Sequence, residues 1–482
     1  MRFRRACAIV CALAAGLLAC SATVPAGNGL QPGDAAYVVL GEGGRAVARV
    51  VTGAVRCPVL QVGGAEQPMQ TRVAADAVVR PGQAKPADFR RVCEAPLAPG
   101  ASSARVGGRS LPLPVAEPRR IVVIGDTGCR IKAAEQAYQD CSDPQQWPFA
   151  TIAAAAAREN PDLVLHVGDY HYRESECPAS QICAGSVWGY GWEAWQADFF
   201  APARPLLAAA PWVVTRGNHE ECSRAGQGWF RMLEARPYAP QRSCDDPRDD
   251  AVADFSEPYA VPLGGHWQLV VFDSAVASRP PDPARPRDRQ REARYREQMQ
   301  AVAALAAAPD MHSIFVSHHP VLGFTVGPAG IEFGNPALLQ AMRAVNGTAY
   351  FPAGIALALH GHVHAFEAID FNSAHPASIV AGHGGDNLDA ELSGAIAATY
   401  PQAEGVRIGS VAHSSSFGYL LLERQADGWT VHARRSNGSP LTTCHLRDAQ
   451  LSCGAGVPQE RPAGAPSVSL VSPRALGAKK IA

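Results

Sequence analysis

Five apolar segments of the chain each end in a short polar signature whose residue types bind metal ions. In chain order the signatures are Gly125-Asp126-Thr127-Gly128, Gly168-Asp169 with Tyr172, Gly217-Asn218-His219-Glu220, His318-His319-Pro320 and Gly361-His362-Val363-His364. Carboxylate and amide oxygens and imidazole nitrogens are hard or borderline metal ligands. Converging on one crevice, they would form a dinuclear metal site.

The elements that must position these residues alternate between strand and helix from Arg120 onward. Apolar runs such as RIVVIGD, DLVLHVGD and PWVVTRGNHE predict buried strands, and the alanine-rich FATIAAAAAREN predicts a helix. This alternation predicts an α/β layered domain. Because α/β folds build their sites at the carboxyl ends of strands, we expect the five signatures to meet. The periodic segment around Tyr295, Met299 and Val302 predicts a helix that covers a sheet.

The complete ordered set of motifs resembles the calcineurin-like metallophosphoesterase superfamily, and within it the purple acid phosphatases. The resemblance covers roughly residues 120–435. It implies a β-sandwich core flanked by helices in αββα layers, and a hydrolase that acts on phosphate ester bonds. The implied substrate is a small phosphate ester, and we expect hydrolysis of phosphomonoesters by attack of a metal-activated water.

One exchange of residues points to the purple acid phosphatase branch. Most of the superfamily carries a metal-binding histidine where this chain has Gly128. Purple acid phosphatases have the same glycine and recover the ligand from a tyrosine three residues after the second aspartate, where Tyr172 stands. A phenolate is a hard anionic donor that suits Fe(III). Packing of the ring in its loop is the alternative role for Tyr172.

The resemblance also assigns the ligands and the cofactors. It places Asp126, Asp169, Tyr172 and His364 on Fe(III), and Asn218, His318 and His362 on a second, divalent ion of Zn, Mn or Fe. The Asp169 carboxylate would bridge the two ions. An acidic pH optimum is expected, because Fe(III) lowers the pKa of bound water more than a divalent ion does.

Substrate contacts are assigned to histidines beside the ligands. His219 would bind the phosphate or protonate the leaving group, and His319 is either a substrate contact or a spectator. His360 is expected to form hydrogen bonds in the core, and His383 is given no role. Purple acid phosphatases commonly carry a further substrate histidine after the strand that bears His318, and this chain has none there. A phosphodiesterase or nucleotidase is therefore an alternative, and the tryptophan-containing insert after Tyr172 is a candidate pocket wall.

The ends of the chain predict export and a division into segments. Residues 1–20 read as a signal peptide ending in a lipobox at Cys20, with ordinary cleavage near VPAG as the alternative. Residues 31–118 predict a small N-terminal β-sandwich domain, residues 119–453 the catalytic domain, and residues 454–482 a loose tail. We expect a periplasmic or outer-membrane lipoprotein, otherwise a secreted protein. Its only membrane contact would be the lipid anchor, and a non-catalytic envelope lipoprotein is a further alternative.

The charge of the chain argues against a nucleic-acid partner, and its cysteine content predicts disulfides. Without Arg2, Arg4 and Arg5, 40 basic residues face 44 acidic ones, and no basic block matches a nucleic-acid backbone, so no nucleic-acid partner is expected. Ten of the 13 cysteines lie beyond the predicted signal, an even number that predicts disulfides. They fall in local pairs: Cys57 with Cys93, Cys129 with Cys141, Cys177 with Cys183, Cys222 with Cys244, and Cys444 with Cys453.

Overall fold

The computed structural model describes residues 29–277, 286–327, 330–394, 396–454 and 469–471. The predicted signal peptide, the lipobox and the alternative cleavage site lie outside these residues. Among the residues that the structure describes, no helix has both the length and the apolar character needed to cross a membrane.

Strands dominate the secondary structure. The strands are β1 Ala35–Leu40, β2 Ala46–Thr52, β3 Val59–Val62, β4 Ala65–Pro68, β5 Gln70–Val73, β6 Asp76–Val78, β7 Ala87–Phe89, β8 Arg91–Pro96, β9 Ala104–Val106, β10 Arg109–Ser110, β11 Arg120–Ile124, β12 Ile131–Lys132, β13 Ala137–Tyr138, β14 Leu163–His166, β15 Trp212–Val214, β16 Tyr259–Gly264, β17 Trp267–Val271, β18 His312–Val316, β19 Phe324–Gly327, β20 Gly330–Phe333, β21 Ile355–His360, β22 Phe366–Phe371, β23 Ala377–Ala381, β24 Ile408–Ser414, β25 Gly418–Gln425, β26 Gly428–Arg435, β27 Pro440–Arg447, β28 Gln450–Cys453 and β29 Ser469–Val471. The α-helices are α1 Phe149–Arg158, α2 Trp192–Trp195, α3 Arg204–Ala209, α4 Gly226–Gly228, α5 Asp250–Ala253, α6 Pro286–Ala306 and α7 Pro336–Asn346.

Two large sheets form the centre of the molecule. The first has 11 strands in the order β28-β27-β26-β25-β11-β14-β15-β1-β2-β8-β5, and the second has 8 strands in the order β16-β17-β18-β21-β23-β22-β24-β29. Strands β11, β14 and β15 are parallel neighbours in the first sheet. Strands β17, β18, β21 and β23 are parallel in the second. The signatures identified in the sequence follow β11, β14, β15, β18 and β21 at their carboxyl ends.

Alternating side chains divide each sheet between two cores. On β11, Ile121 and Val123 belong to the core between the two sheets, while Val122 and Ile124 pack against the layer that contains α1 and α3. On β18, Ile314 faces the inter-sheet core. The order helix, sheet, sheet, helix confirms the predicted αββα architecture.

Helix α6 covers the outer face of the second sheet, as its periodicity predicts. Tyr295, Met299 and Val302 are fully buried there, in one core with Val270 and Phe315 of the sheet. These side chains contribute apolar burial and need no catalytic role.

The N-terminal segment is rich in strands, but it is continuous with the catalytic sheet. Strand β1 pairs in parallel with β15, placing Val39 beside Trp212, and β2, β8 and β5 continue the sheet outward. Buried Arg49 and Arg72 donate hydrogen bonds to backbone carbonyl oxygens of residues 230–234. The segment thus packs against residues 230–234 and extends the first sheet, while a domain boundary at residue 118 stays a prediction.

One part of the C-terminal tail, predicted as loose, forms a strand. Ser469–Val471 pairs antiparallel with β24, with Leu470 beside Ala412. The edge of the second sheet offers unpaired backbone groups, and the short run VSLVS has the β-branched and polar alternation that pairs with such an edge. The other residues after Gly454 lie outside the described part of the chain.

All five cysteine pairs predicted from sequence proximity are disulfides. The bonds join Cys57 to Cys93, Cys129 to Cys141, Cys177 to Cys183, Cys222 to Cys244, and Cys444 to Cys453. Disulfides persist in oxidising compartments, so they indicate an exported protein.

Candidate metal centre

Seven predicted ligands meet at the carboxyl ends of the parallel strands, where the two sheets lie side by side. The first sheet supplies the residues that follow β11, β14 and β15, and the second sheet supplies those that follow β18 and β21. All are buried or half-buried: Asp126, Asp169, Tyr172, Asn218, His318, His362 and His364. Strand ends that are far apart along the chain therefore lie close together in space, as expected for an α/β fold.

The phenol of Tyr172 lies among three of the other predicted ligands. Its hydroxyl oxygen is 3.1 Å from Asp126 Oδ1, 3.0 Å from Asp169 Oδ2 and 3.2 Å from His364 Nε2. A phenol has one proton and cannot donate it to two carboxylates at once. The four donor groups therefore form a cluster of oxygens and one imidazole nitrogen that suits a hard, highly charged cation.

A second cluster adjoins the first through Asp169. Asn218 Oδ1 lies 3.1 Å from His318 Nε2 and 3.0 Å from His362 Nδ1. His318 Nε2 is in turn 3.0 Å from Asp169 Oδ2. Ligand atoms of Asp169, His318 and His362 all lie within 4.8 Å of one another, a spacing that can hold a metal ion. Asp169 thus belongs to both clusters.

Electrostatics of the protein alone show that the site needs positive charge. Burial lowers the pKa of His318, but the carboxylates of Asp169 and Asp126 outweigh it and raise the pKa to about 9. His364 follows the same pattern, with Asp386 and Asp126 raising its pKa to about 10. Burial raises the pKa of Tyr172 well above its usual value, and the carboxylates of Asp126 and Asp169 add to the shift. The three buried carboxylates Asp126, Asp169 and Asp386 thus hold protons on their neighbours when no other cation compensates them.

Backbone geometry at the strand ends aims the ligands. Asp126, Asp169 and His362 have φ of 56°, 58° and 70°, in the left-handed region that non-glycine residues rarely adopt. Such strain concentrates at functional sites, where the surrounding structure holds it in place.

The glycine at position 128 makes room for the tyrosine. A Cβ atom on Gly128 would lie 2.7 Å from Cδ2 of Tyr172 and 2.9 Å from the carbonyl oxygen of Tyr170. A histidine at position 128 and the observed position of Tyr172 therefore exclude each other on steric grounds.

His219 lies against this cluster and is held by charged neighbours. Its ring centroid is 3.8 Å from that of Tyr172, and Nδ1 lies 2.8 Å from Glu174 Oε1 and 2.6 Å from an Arg224 guanidinium nitrogen. Its other ring nitrogen, Nε2, is 3.9 Å from Asp169 Oδ2. Burial, followed by Arg224, lowers the pKa of His219 to about 4. The ring is therefore fixed with Nε2 directed toward the centre.

The remaining histidines near the signatures differ in their surroundings. His319 is fully buried, its Nδ1 lies 3.1 Å from Ser274 Oγ, and its ring centroid is 4.1 Å from that of His362. Within the described residues its Nε2 has no hydrogen-bond partner. A substrate contact of His319 stays a prediction. His360 bonds Ser317 Oγ at 3.0 Å within the core, and His383 is buried against Phe366.

Two buried carboxylates organise the loops that carry the ligands. Glu220 accepts hydrogen bonds from the backbone N–H groups of Asp169, Tyr170, His171 and Gly217. Asp198 accepts from the backbone N–H groups of Cys129, Tyr172 and Arg173. Glu220 belongs to the Gly217-Asn218-His219-Glu220 signature, but the sequence does not show which groups it contacts, and it gives no sign of Asp198.

Sequence reasoning missed Glu174 and Arg224, and two tryptophans of the insert after Tyr172 lie away from the site. Glu174 follows Tyr172 by two residues, which is the only local sign of its contact with His219. Trp192 and Trp195 do not wall the pocket: both are buried in the helical layer on the outer face of the first sheet. A pocket-wall role for the rest of the insert stays a prediction, and the hydroxyl of its Tyr190 donates to Glu174 Oε2 at 3.4 Å.

Comparison with known proteins agrees with this site. The family model for calcineurin-like phosphoesterases matches residues 119–366, more than half of the chain. The chain belongs to the calcineurin-like phosphoesterase family. It is a hydrolase that acts on phosphate esters, and the matched residues include all seven predicted ligands, from Asp126 to His364.

Solved structures share the fold at low sequence identity. A purple acid phosphatase from yellow lupin (Lupinus luteus) seeds is 16% identical with a TM-score of 0.52, and the match covers 89% of this chain and 77% of that one. The structure of PhoD is 13% identical with a TM-score of 0.50, covering 89% of this chain and 92% of that one. No curated protein sequence matches the chain. The structural matches support the fold alone and do not identify a substrate.

Proposed function

We propose that the chain is an exported phosphatase of the purple acid phosphatase type, which hydrolyses phosphomonoesters at a dinuclear Fe(III)–divalent metal centre. Asp126, Asp169, Tyr172 and His364 would hold the Fe(III). The remaining ligands, Asn218, His318 and His362, would hold Zn, Mn or Fe, with Asp169 shared between the ions. The observation that carries the proposal is the position of the Tyr172 hydroxyl, within 3.2 Å of Asp126, Asp169 and His364.

The donor set fits such a pair of ions. Two carboxylates and a phenol supply hard oxygens on one side, and two imidazoles with an amide oxygen supply borderline ligands on the other. When bound, the two ions supply charge that polarises the phosphoryl group and lowers the pKa of an attacking water.

The protein's own contribution to the reaction centres on His219. Glu174 and Arg224 fix the ring, and its Nε2 faces the cluster. From there the neutral ring can donate a hydrogen bond to a phosphoryl oxygen, and the ring protonated at acidic pH can donate a proton to the departing alkoxide. The backbone N–H of His219 donates to Asp169 Oδ1 at 2.8 Å, so the same residue also orients the shared carboxylate.

Action on phosphodiesters or nucleotides is the second candidate. A cleft of about 430 Å³ adjoins His362, and its described lining contains no other histidine. Such a cleft has room for a second ester group, and it lacks the extra substrate histidine that purple acid phosphatases commonly supply. The family membership and the complete ligand set argue against the non-catalytic alternative.

Rates on two synthetic esters separate these functions. The protein reconstituted with iron and zinc should hydrolyse 4-nitrophenyl phosphate faster than bis(4-nitrophenyl) phosphate, with an optimum below pH 7. The Asp169→Asn variant should lose at least about 10²-fold in rate because the shared carboxylate is gone. Turnover of the bis-ester alone would favour the second candidate. Absence of turnover with either ester at any pH would contradict both.

A further inference from the structure

The cleft beside His362 is formed by an element that the catalytic signatures do not include. Strands β19 and β20 pair as a hairpin that places Phe324 beside Phe333 and Thr325 beside Glu332. Together with Pro320 and Val363, this hairpin lines the cleft of about 430 Å³. The cleft therefore runs from a proposed ligand of the divalent metal to the protein surface.

The floor of the cleft is apolar and firmly held. Phe324 and Phe333 are buried, and the ring of Phe333 packs edge-on against Tyr400 at 5.0 Å. The Tyr400 hydroxyl donates a hydrogen bond of 2.5 Å to the carbonyl oxygen of Gly323. Asn335 Nδ2 donates to the carbonyl oxygen of Ala277 at 2.7 Å. A floor tied at these points is pre-formed, as ligand pockets usually are.

The described residues that line the cleft include few charged side chains. Among the described lining residues no Lys or Arg occurs, and Glu332, at the exposed rim, is the only acidic one. The N-terminus of α7 also reaches the cleft, but it offers little to an anion. Pro336 has no N–H, and Asn335 Oδ1 already accepts the N–H of Leu338 at 3.1 Å.

We propose that this cleft receives the organic group of the phosphate ester and selects esters whose organic group is uncharged or cationic over those with an anionic group. The inference rests on the proposed function, because it assumes that the phosphoryl group is bound at the metal centre. An apolar floor favours an aryl or alkyl group by removing its surface from water. An additional carboxylate or phosphate there would meet Glu332, and no Lys or Arg among the described lining residues would compensate it.

Three phosphate esters of similar size test the selectivity on the metal-loaded protein. Phenyl phosphate carries a neutral group, phosphocholine a cationic group and 3-phosphoglycerate an anionic group. We expect kcat/KM to be lowest for 3-phosphoglycerate. The Glu332→Arg variant should shift the ratio of phosphocholine to 3-phosphoglycerate by at least about fivefold in favour of the anion. Glu66→Arg is the matched control, since Glu66 is exposed on β4 and does not line the cleft.

The outcomes separate this inference from the proposed function. Equal kcat/KM for phosphocholine and 3-phosphoglycerate, or the same ratio in both arginine variants, would overturn the inference while leaving a phosphomonoesterase. If only bis(4-nitrophenyl) phosphate is hydrolysed, the three compounds are compared as competitive inhibitors of that reaction, and the same order and shift are expected. Failure to hydrolyse any ester would overturn the proposed function and this inference together.

Discussion

At the scale of single residues, the site is defined by pairs that depend on each other. Gly128 has no side chain, and the space that a Cβ would fill lies 2.7 Å from Cδ2 of Tyr172. In the proposed ligand set, the absence of a histidine at position 128 and the presence of Tyr172 are thus a single steric change. The ligand types were predictable from sequence because few side chains bind metals and each follows a strand. Glu174 and Arg224 were not, since a single charged residue in a loop carries no sign of its distant partner.

Substitution of His219 should slow hydrolysis without removing the metals. We expect His219→Asn to lower kcat by about 10²- to 10⁴-fold, because the fixed Nε2 is lost while no proposed ligand changes. Metal content and kcat are measured on the same samples. His312→Asn, an exposed histidine at the start of β18, is the control. A His219→Asn variant with more than a third of the control rate would exclude a catalytic role.

Glu367 should make stability depend on pH. Burial raises the pKa of this carboxyl well above its usual value, with Asp389 adding to the shift, and its Oε2 accepts the N–H of Phe324 at 3.3 Å. An acid whose pKa is raised on folding stabilises fully below its unfolded pKa and less as pH rises toward the folded value. Glu367→Gln should therefore gain stability relative to the parent protein as the pH rises above the ordinary pKa of glutamate, by up to about 1.4 kcal/mol per pH unit. Chemical unfolding at several pH values measures this difference, and a constant difference would contradict it.

At the scale of elements, strand ends bring the ligands together and buried carboxylates hold the loops. The apolar runs predicted β11, β14, β15, β18 and β21, because a buried parallel strand reads as a continuous hydrophobic segment. The loops after them were less predictable. Their conformation depends on Glu220 and Asp198, which reach backbone groups far away in sequence.

Glu220→Gln tests the link between the loops after β14 and β15. The carboxylate of Glu220 now accepts hydrogen bonds from backbone N–H groups. The NH₂ group of glutamine cannot accept them, so it would place a donor against a donor. We expect metal affinity to fall by about 10- to 100-fold, the range seen when partners behind the ligands are lost. Competition with a chelator measures the affinity. Glu221→Gln, the neighbouring glutamate, should retain the parent affinity, and equal affinities in both variants would remove Glu220 from this role.

At the scale of the whole molecule, the N-terminal segment and the catalytic region share one sheet. The sequence predicted strands before residue 118 but could not show that β1 joins β15, because a parallel pairing across a long stretch of chain leaves no local pattern. The disulfide pairs were predictable from proximity, since each bond closes a loop of 6 to 36 residues.

Removal of residues 29–118 should destabilise the catalytic region. It would expose the edge of β15 and the apolar surface now covered by β1, and β15 leads directly to Asn218. The segment contains both cysteines of one disulfide, Cys57 and Cys93, so no unpaired thiol is left behind. We expect aggregation or a lower Tm for a chain that starts at residue 119. A chain that ends at residue 454 should change less, and an unchanged Tm in the first chain would contradict the account.

The measurement that tests the central claim most directly is the visible absorption spectrum of the purified protein beside its Tyr172→Phe variant, with metal content determined on the same samples. We predict a broad visible band in the parent protein that disappears in the variant while iron is retained, because a tyrosinate bound to Fe(III) gives charge transfer and a phenyl ring does not. A colourless, active parent protein that holds two divalent ions would contradict the account, since Tyr172 would then only pack its ring in the site.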